Sequence, residues 1–511
     1  HLRLFSDGAG ATFDAEGSSG IFQVLHGARL ELEAITLVNG AGVMDGGGRS
    51  KGGAVYLENS TVALIGSSIV NSVANTAGAV YVWSGSLTIA NSSSISGCRA
   101  VFGATGLEGY GGAVCLDGLR GEITVDHSSI SSSSADSDGG AMYVQSGIVV
   151  VRNSSSIIDS SAATYSSGMV MLSCGSLTVV DSFILRSTTQ GKGGVGKVSR
   201  GGSLTLINVS IADSTATQQA GVLLIEEGGQ VTMINTSLVN SRSTRGGVSD
   251  TGGAFHLTGG SLTVRDGSIV GSSAFAGGML HLVRGVAAFH NTTILDSSAT
   301  GGGVIALEGG RATVDHCQIA RSSGHKGCVY ASGGELHLIS SIIERSDFSD
   351  PDGVILYSWD IAADKLFVIT NTEFRQHACD GILFKLTATT VVLRNISFTP
   401  LPGCDTAALA SSAAFADVTP RPCGAKYADT EFNEWDVCSS NTPGACTAHP
   451  VFGTTLVGLN CTCPFPQFPN EAIIPDTTLA PYLPFPSLDL RTREGCIQPT
   501  RLEEAAVVST G

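Results

Sequence analysis

Residues Gly252–Leu282 read GGAFHLTGGSLTVRDGSIVGSSAFAGGMLHL, and this stretch contains one complete unit of a repeat. A glycine pair opens the apolar segment Ala254–Leu257, and a second glycine pair separates it from Leu262–Val264. Asp266 marks a bend, a further short apolar segment follows, and Gly277 starts the next unit. Short apolar segments between glycine-rich turns indicate β-strands rather than helices.

Most of the chain repeats this unit. The residue equivalent to Asp266, here called the corner residue, recurs at intervals of 24 to 36 residues, at Ala34, Gly66, Asn91, His127, Asn153, Asp181, Asn208, Asn235, Asp266, Asn291, His316, Ser340, Asn371 and Asn395. An aliphatic or aromatic residue follows each corner, and then a serine row at Ser72, Ser133, Ser160, Ser187, Ser214, Ser241, Ser272, Ser297, Ser322 and Ser346. Strands this short bury an apolar face only by stacking on their equivalents one repeat away, at about 4.8 Å.

Stacked repeats of this kind predict an all-β fold. Residues 1–400 are expected to form a right-handed parallel β-helix with three strands per coil and about 14 coils, because parallel crossovers are right-handed. Strand alternation places Leu262, Val264 and Asp266 on one inward side, so the corner residues are expected to be mostly buried. Asn and Ser ladders along the stack would then satisfy polar groups at the bends.

The repeat resembles that of a known group of proteins. Residues 130–142 read ISSSSADSDGGAM, and residues 69–80 read IVNSVANTAGAV, which lacks the first glycine. This pattern is similar to the GGA repeat of the polymorphic outer membrane proteins and, more broadly, to pectin-lyase-like right-handed β-helices. The resemblance covers about residues 20–400. It departs from the former group where an aromatic residue often precedes the Asn, because Ile stands there. It implies the fold, and it is compatible with adhesins, surface proteins and enzymes.

Composition restricts the partners. The formal net charge of −16 argues against nucleic acid, because phosphate binding needs clustered Lys and Arg. No apolar run reaches the roughly 20 residues of a membrane-spanning helix. The chain starts at His1 without a signal peptide, and we interpret it as a piece of a longer protein. No cofactor motif stands out in so glycine-rich a chain.

Cysteine usage separates the last part of the chain from the repeats. Seven of the 13 cysteines lie after Pro400, together with many prolines. We therefore expect residues 401–511 to form a Cys/Pro-rich, disulfide-stapled cap module from an oxidising compartment. Zinc is the alternative for these cysteines, although only Cys461 and Cys463 form a tight pair. Within the repeats, Cys98 and Cys115 flank a long insertion, and a disulfide between them is predicted to close its base.

The sequence also contains candidate glycosylation sites and one candidate metal site. Eight Asn-x-Ser/Thr sequons occur, at Asn59, Asn91, Asn153, Asn208, Asn235, Asn291, Asn395 and Asn460. The repeat pattern produces Asn-x-Ser at the corner whether or not the site is modified. We therefore predict glycosylation at Asn59 and Asn460 in preference to the corner sites. Asp347, Asp350 and Asp352 lie on one turn and could bind calcium, and a solvated acidic loop is the alternative.

The outward positions of the first strand of each coil suggest a binding surface. They would be polar if this face met water, but many are apolar or aromatic, including Tyr56, Tyr81, Tyr143, His256, His281 and Tyr330. An exposed stripe of this length would exceed the apolar patches usual on a monomer. Either the insertions fold over the stripe, or part of it stays open and binds sugar rings or another β-helix. We predict that the Tyr56–Tyr81 and His256–His281 ends are open.

The function predicted from the sequence is non-catalytic. Polysaccharide-active enzymes on this fold need clustered carboxylates on an outward strand, and we find no such cluster. The chain is interpreted as a structural or adhesive segment of a secreted or cell-surface protein. Its partner would be a protein or glycan at the cell surface, or a second copy of the chain. A pectin-lyase-like enzyme and an autotransporter-type passenger are the alternatives.

Overall fold

A computed structural model of the chain describes residues 1–399, except 9, 104, 105, 107, 165, 166, 246–249, 325, 326, 345, 346, 349–354, 359–365, 376–383, 387–389, 395 and 396. All regular elements in this part of the chain are β-strands, and they form a parallel β-solenoid of about 13 turns, which confirms the predicted fold class. No helix able to span a membrane occurs among these residues. The predicted cap module, residues 401–511, lies outside them.

The described residues divide into two compact units, the first with residues 1–216 and 223–232 and the second with residues 217–222 and 233–399. The strands of the first unit are Leu2–Phe5, Ala11–Asp14, Phe22–Val24, Arg29–Glu33, Ile35–Val38, Val43–Met44, Ser50–Lys51, Val55–Ile65, Ser68–Val70, Val73–Ala74, Val80–Ala90, Ser94–Ser96, Arg99–Ala100, Val114–Leu116, Gly121–Asp126, Ser129–Ser131, Ser134–Ala135, Met142–Val144, Ile148–Arg152, Ser156–Ile158, Ser161–Ala162, Val170–Leu172, Ser176–Val180, Phe183–Leu185, Thr188–Thr189, Gly196–Val198, Ser203–Ile207, Ser210–Ala212, Thr215–Ala216 and Leu223–Ile225.

The strands of the second unit follow the same order. They are Ser237–Val239, Arg242–Ser243, Phe255–Leu257, Ser261–Arg265, Ser268–Val270, Ser273–Ala276, Leu280–Leu282, Val286–His290, Thr293–Leu295, Ser298–Gly302, Ile305–Leu307, Arg311–Asp315, Gln318–Ala320, Ser323–Gly324, Val329–Ala331, Glu335–Ile339, Ile342–Glu344, Asp347–Phe348, Leu356–Ser358, Leu366–Thr370, Glu373–Arg375, Phe384–Leu386, Thr390–Arg394 and Ser397–Thr399. Gln230–Ile234 is a further strand at the division.

One coil has four strand segments in most places. In the coil that begins at Met142 they are Met142–Val144, Ile148–Arg152, Ser156–Ile158 and Ser161–Ala162, which we call the first to fourth strands. The first and second strands belong to one sheet, and the third and fourth each form another, so three parallel sheets are present. Most described coils thus have four strand segments where three strands were predicted. Only Val55–Ile65 and Val80–Ala90 run through the first and second positions without a break.

Aliphatic ladders fill the interior. Ile130 pairs with Ile157, and Ile157 pairs with Ile184, in a continuous parallel register, and each is fully buried. Burial of one such side chain contributes about 1.5–3 kcal/mol. Parallel pairing repeats the contact in each coil, and the prediction of an aliphatic ladder behind the corner is confirmed.

The corner residues are not buried, and that prediction is wrong. All described corner residues, from Ala34 to Asn371, have positive φ between 46° and 58°, and the Asn and Asp members are exposed. A residue in the left-handed region interrupts the alternation of the strand. The side chain of Asp266, two residues after the buried Val264, therefore points outward instead of inward. Asn and Asp adopt this conformation more readily than other non-glycine residues. Asn208 Nδ2 donates to Asp181 Oδ1 at 2.8 Å, and Asn291 Nδ2 donates to Asp266 Oδ1 at 2.7 Å.

Two rows of hydroxyl side chains are buried instead. The residue that follows the corner turn bonds to backbone: Ser155 Oγ accepts from Ser128 N at 3.1 Å and donates to Arg152 O at 2.5 Å. The described members of the serine row identified in the sequence, from Ser72 to Ser322, are also buried. Six of its hydroxyls have no hydrogen-bond partner, those of Ser160, Ser187, Ser214, Ser241, Ser272 and Ser297. The predicted hydrogen bonding between hydroxyls along this row is therefore wrong for these six serines. Their small side chains suit a tight bend.

The second glycine of each pair is required by close backbone contact. A Cβ atom on Gly140 would lie 2.1 Å from the carbonyl oxygen of Gly168 in the next coil and 2.4 Å from that of Ser161. Gly112 and Gly168 make equivalent approaches. The Gly-Gly-Ala motif therefore marks where the chain turns inside the coil wall.

The two buried serine rows predict opposite mutational effects. Ser155→Ala leaves the Ser128 amide without its acceptor, and we expect it to lower the free energy of unfolding by about 1–3 kcal/mol. Ser187→Ala removes a hydroxyl that already lacks a partner, and stability is expected to stay equal or rise. Urea denaturation of the two variants beside the parent chain measures the difference. Equal destabilisation by both would contradict this account of the rows.

Candidate functional site

The outward side chains of the first strands form a continuous row within each unit. In the first unit Tyr56 pairs with Tyr81, and Cys115 pairs with Tyr81 and Tyr143. In the second unit His256 pairs with His281, and Tyr330 pairs with Tyr357. The sequence did not identify Tyr357 as a member, but it correctly placed in the outward row the six predicted side chains of Tyr56, Tyr81, Tyr143, His256, His281 and Tyr330. Their predicted binding role stays a prediction.

The row is largely covered. Tyr81 is 1% exposed, His256 2% and His281 4%, so the prediction that these three are open to solvent is wrong. Tyr56, Tyr143 and Tyr330 are partly exposed. The physical reason lies in the insertions, which return as short rows beside the first strands. Lys51, Thr76 and Tyr110 form one such parallel row, and Gln219, Thr251 and Ala276 form another.

Aromatic contacts organise the covered row of the first unit. The Tyr56 and Tyr81 rings stack at 5.4 Å between centroids, and Lys51 Nζ lies 5.0 Å from the centroid of Tyr81. Tyr110 lies 4.8 Å from Tyr143. Cys115 fills the space between these rings together with Ala77. These contacts make the row a second, outer apolar cluster.

The phenol groups of this cluster bond to carboxylates. Tyr81 Oη donates to Asp117 Oδ2 at 2.6 Å, and Tyr56 Oη donates to Glu58 Oε2 at 3.2 Å. Burial, and next the bond to Asp117, raises the pKa of Tyr81 well above its usual range. Burial, and next the charge of Glu58, raises the pKa of Tyr56 to about 12. Burial also raises the pKa of Tyr143. The groups act as neutral donors at physiological pH.

A histidine pair occupies the same row in the second unit. The rings of His256 and His281 stack with centroids 4.8 Å apart, and their Nδ1 atoms lie 2.9 Å apart. Thr251 Oγ1 is 2.9 Å from His256 Nδ1, and His281 Nε2 is 3.0 Å from Glu308 Oε1. Both contacts of His256 are made by the same Nδ1 atom, which therefore joins the buried hydroxyl to the His281 ring, and His281 in turn reaches a carboxylate at the surface.

The chemistry of this cluster follows from its donors. Two facing ring nitrogens form a hydrogen bond only when one carries a proton and the other does not. The carboxylate of Glu308 accepts from His281 Nε2, and this bond lowers the pKa of Glu308. His281 Nδ1 then either accepts from His256 as a neutral ring or donates to it as a cation. Because Thr251 and both rings are buried, the cluster is a satisfied internal network rather than a site open to a polymer.

An open groove lies beside the covered row in the first unit. It has a volume of about 310 Å³ and is lined by Gly27, Asn59, Ser60, Thr61, Gly85, Ser86, Arg120 and Glu122. Thr61, Ser86 and Glu122 are in register on neighbouring second strands. Amide, hydroxyl, guanidinium and carboxylate groups therefore face the same space, which suits a ligand with many hydroxyl groups.

Trp83 stands next to this groove. The register between Val55–Ile65 and Val80–Ala90 shifts on either side of Ser84, and Trp83 is the extra residue of this β-bulge. Its side chain is 45% exposed, and Leu119 on the next coil is 46% exposed. Ser84 Oγ, one residue further on, donates to Asn59 Oδ1 of the groove at 2.5 Å. Sequence reasoning missed Trp83 and Arg120; a tryptophan in an extra position of the repeat was the available signal.

The predicted glycosylation and calcium sites lie only partly within the described residues. Asn59 is exposed, and so are the corner sequons Asn91, Asn153, Asn208, Asn235 and Asn291, so burial offers no reason to prefer Asn59. Asn460, Asn395, Asp350 and Asp352 lie outside the described residues, and for Asp347 only the backbone is described. Within the described part of the chain, no group of three or more His, Cys, Asp or Glu could hold a metal ion.

The predicted Cys98–Cys115 disulfide is wrong, because both residues are buried free thiols. Cys98 occupies the inward position equivalent to the serine row, and its Sγ donates to Ser96 O at 3.4 Å. Cys115 instead faces outward, beneath the tyrosines. The backbone wall therefore separates the two sulfur atoms, which the sequence spacing could not show.

Burial predicts that these thiols are protected from reagents. It raises the pKa of Cys98 to about 12 and that of Cys115 well above its usual range, so little thiolate forms at neutral pH. We expect neither to react with iodoacetamide in the native protein, and both to react after denaturation without reductant. Peptide mapping measures the labelling. A peptide linked through Cys98 and Cys115 in a non-reducing digest would contradict the free-thiol assignment.

The buried phenols predict a loss of stability at alkaline pH. Their pKa values are raised in the folded state, so their contribution is complete below the usual value of 10 and is lost as pH rises through the folded pKa. Tyr81→Phe removes one such group and also its bond to Asp117. We expect the stability difference between parent and variant to shrink above pH 10, measured by urea denaturation. A difference that is constant with pH would contradict the assignment.

No known family matches the chain, and neither any curated protein nor any solved structure matches it.

Proposed function

We propose that the chain is a non-catalytic, adhesive and structural segment of a larger secreted or cell-surface protein. We further propose that its coils are related to pectin-lyase-like solenoids with GGA repeats of the polymorphic outer membrane protein type. The observation that carries the adhesive part is the exposed Trp83 at a β-bulge beside the polar groove. An exposed tryptophan next to convergent hydrogen-bonding groups is typical of a binding surface.

The groove fits a glycan better than an apolar ligand. Arg120 and Glu122 supply a cation and an anion, and Asn59, Thr61 and Ser86 supply neutral polar groups. A sugar ring offers hydroxyl groups for these side chains and a C–H face for an indole ring. The groove spans four neighbouring coils, from Gly27 to Glu122, so an extended oligosaccharide could follow the stack.

The pairing of surface carboxylates supports a non-catalytic role. Arg186 Nε lies 2.6 Å from Asp159 Oδ1, and Arg321 Nη2 lies 2.7 Å from Asp296 Oδ2, each from the neighbouring coil. These hydrogen bonds lower the pKa of both carboxyl groups. A general acid in glycoside cleavage needs a raised pKa, so these carboxylates suit the surface of a scaffold.

Binding to a panel of immobilised neutral and acidic oligosaccharides tests the proposal. Trp83→Ser and Arg120→Ala are each expected to weaken binding about tenfold or more, because exposed aromatic and Arg anchors dominate such contacts. Phe183→Ser is the matched control, since Phe183 is 46% exposed on a different sheet of the same unit.

Two results would contradict the proposal. The first is a failure of the binding test: either Trp83→Ser binds as tightly as the parent chain, or the parent chain itself binds none of the oligosaccharides. The second is release of soluble sugar from pectin or alginate, abolished by a single Asp→Ala change, which would identify an enzyme.

A further inference from the structure

We propose that the five described corner sequons, at Asn91, Asn153, Asn208, Asn235 and Asn291, are acceptors of N-linked glycans. This inference rests on the proposed secreted or cell-surface location. It reverses the preference drawn from the sequence, which depended on buried corners.

The geometry of the corner makes the asparagine accessible. Each of the five side chains is exposed, and each backbone has positive φ at the turn between the second and third strands. Nδ2 of Asn208 and Nδ2 of Asn291 donate one hydrogen to an aspartate of the preceding coil. An asparagine amide has two such hydrogens, so a glycosylated nitrogen still carries one for this bond. The native contact and the modification are therefore compatible.

The fold does not require the hydroxyl that completes three of these sequons. Ser210 follows Asn208 by two residues, and its register partner on the preceding coil is Phe183. Thr293 follows Asn291 by two residues, and its partner is Gln318, which pairs in turn with Ile342. This row therefore accepts aromatic, amide and aliphatic side chains. Serine also stands in this row at Ser129 and Ser268, which complete no sequon, so packing permits the hydroxyls of Ser210, Ser237 and Thr293 without requiring them. Ser93 and Ser155, in contrast, are buried and also serve the bend.

Spacing along the corner column also fits attached sugars. In the first unit His127 separates Asn91 from Asn153, and Asp181 separates Asn153 from Asn208. In the second unit Asp266 separates Asn235 from Asn291. Within each unit the sequons thus occupy alternate coils, about 9.6 Å apart. Glycans on alternate coils have one unmodified corner between them; Asn208 and Asn235 are consecutive corners in the sequence, so this spacing does not apply to that pair.

The corner glycans would also leave the groove open. The corner follows the second strand, and Asn91 lies five residues beyond the groove residue Ser86, or about 16 Å along the strand. Asn59 differs, because its side chain lines the groove itself. A glycan there would occupy the space that the proposed ligand needs, so the inference is restricted to the corner sites.

The modification is a group transfer from an isoprenoid diphosphate-linked oligosaccharide. The asparagine Nδ2 attacks the anomeric carbon of the first sugar, and a C–N bond forms. The bond from that carbon to the diphosphate oxygen breaks, and the diphosphate leaves with the electron pair. The nitrogen loses one proton to the base of the transferase, so charge and atoms balance.

Secretion of the chain from a eukaryotic host, behind a leader supplied by the vector, tests the inference. Digestion with peptide N-glycosidase converts each glycan-bearing Asn to Asp, and peptide mass spectrometry then identifies the sites. We expect conversion at the five corner sequons. Asn371 is the matched control: it is an exposed corner residue with φ 50°, but Glu373 stands where the sequon needs a hydroxyl.

Paired variants make the test sharper. Ser210→Ala should remove the glycan of Asn208 alone, and Ser210→Thr should keep it. Glu373→Ser completes a sequon at Asn371 and should add one glycan. Corner asparagines that stay unmodified in the folded, secreted protein, or a glycan confined to Asn59, would overturn the inference. Because the host supplies the leader, such a failure leaves the oligosaccharide-binding test of Trp83 unaffected, and the two proposals fail separately.

Discussion

Parallel backbone pairing between successive coils is the interaction on which the rest of the structure depends. It places equivalent residues about one strand spacing apart, so each position becomes a column of similar side chains. Aliphatic columns such as Ile130, Ile157 and Ile184 then form the interior through contacts between neighbouring coils alone. The same pairing demands glycine where the chain turns most tightly, since a Cβ on Gly140 would overlap the carbonyl oxygen of Gly168.

At the corner between the second and third strands, the local backbone conformation decides whether a column of side chains faces the core or the solvent. A positive φ turns the side chain outward, and a column of Asn, Asp and His results at the surface. Hydrogen bonds between coils, such as that from Asn208 to Asp181, tie this column together. Buried serines fill the adjoining bends, some bonded to backbone and some not. An unpartnered buried hydroxyl costs free energy, and the small side chain is tolerated there because the bend has little room.

Insertions between coils decide which surface is available. Lys51 and Tyr110 fold over the tyrosine row of the first unit, and Thr251 contacts the histidine pair of the second. The apolar stripe suggested by the sequence is thereby converted into a second buried layer with its own hydrogen bonds. The proposed ligand site lies instead in the neighbouring groove, where Trp83 stays exposed at a bulge. The proposed glycan column and this groove lie at opposite ends of the second strand.

The repeat alone determined the fold class, the position of every described corner and the shared outward position of the six predicted Tyr and His side chains, because stacking forces equivalent residues together. It could not determine which way a corner side chain points, since alternation predicts inward and one left-handed residue reverses it. Nor could spacing show that Cys98 and Cys115 face opposite sides of the coil wall, or that Tyr81 and His281 lie under the insertions. Those features depend on contacts between segments far apart in the sequence. Only the tertiary structure decided them, because the path of an insertion is set by the neighbours it packs against.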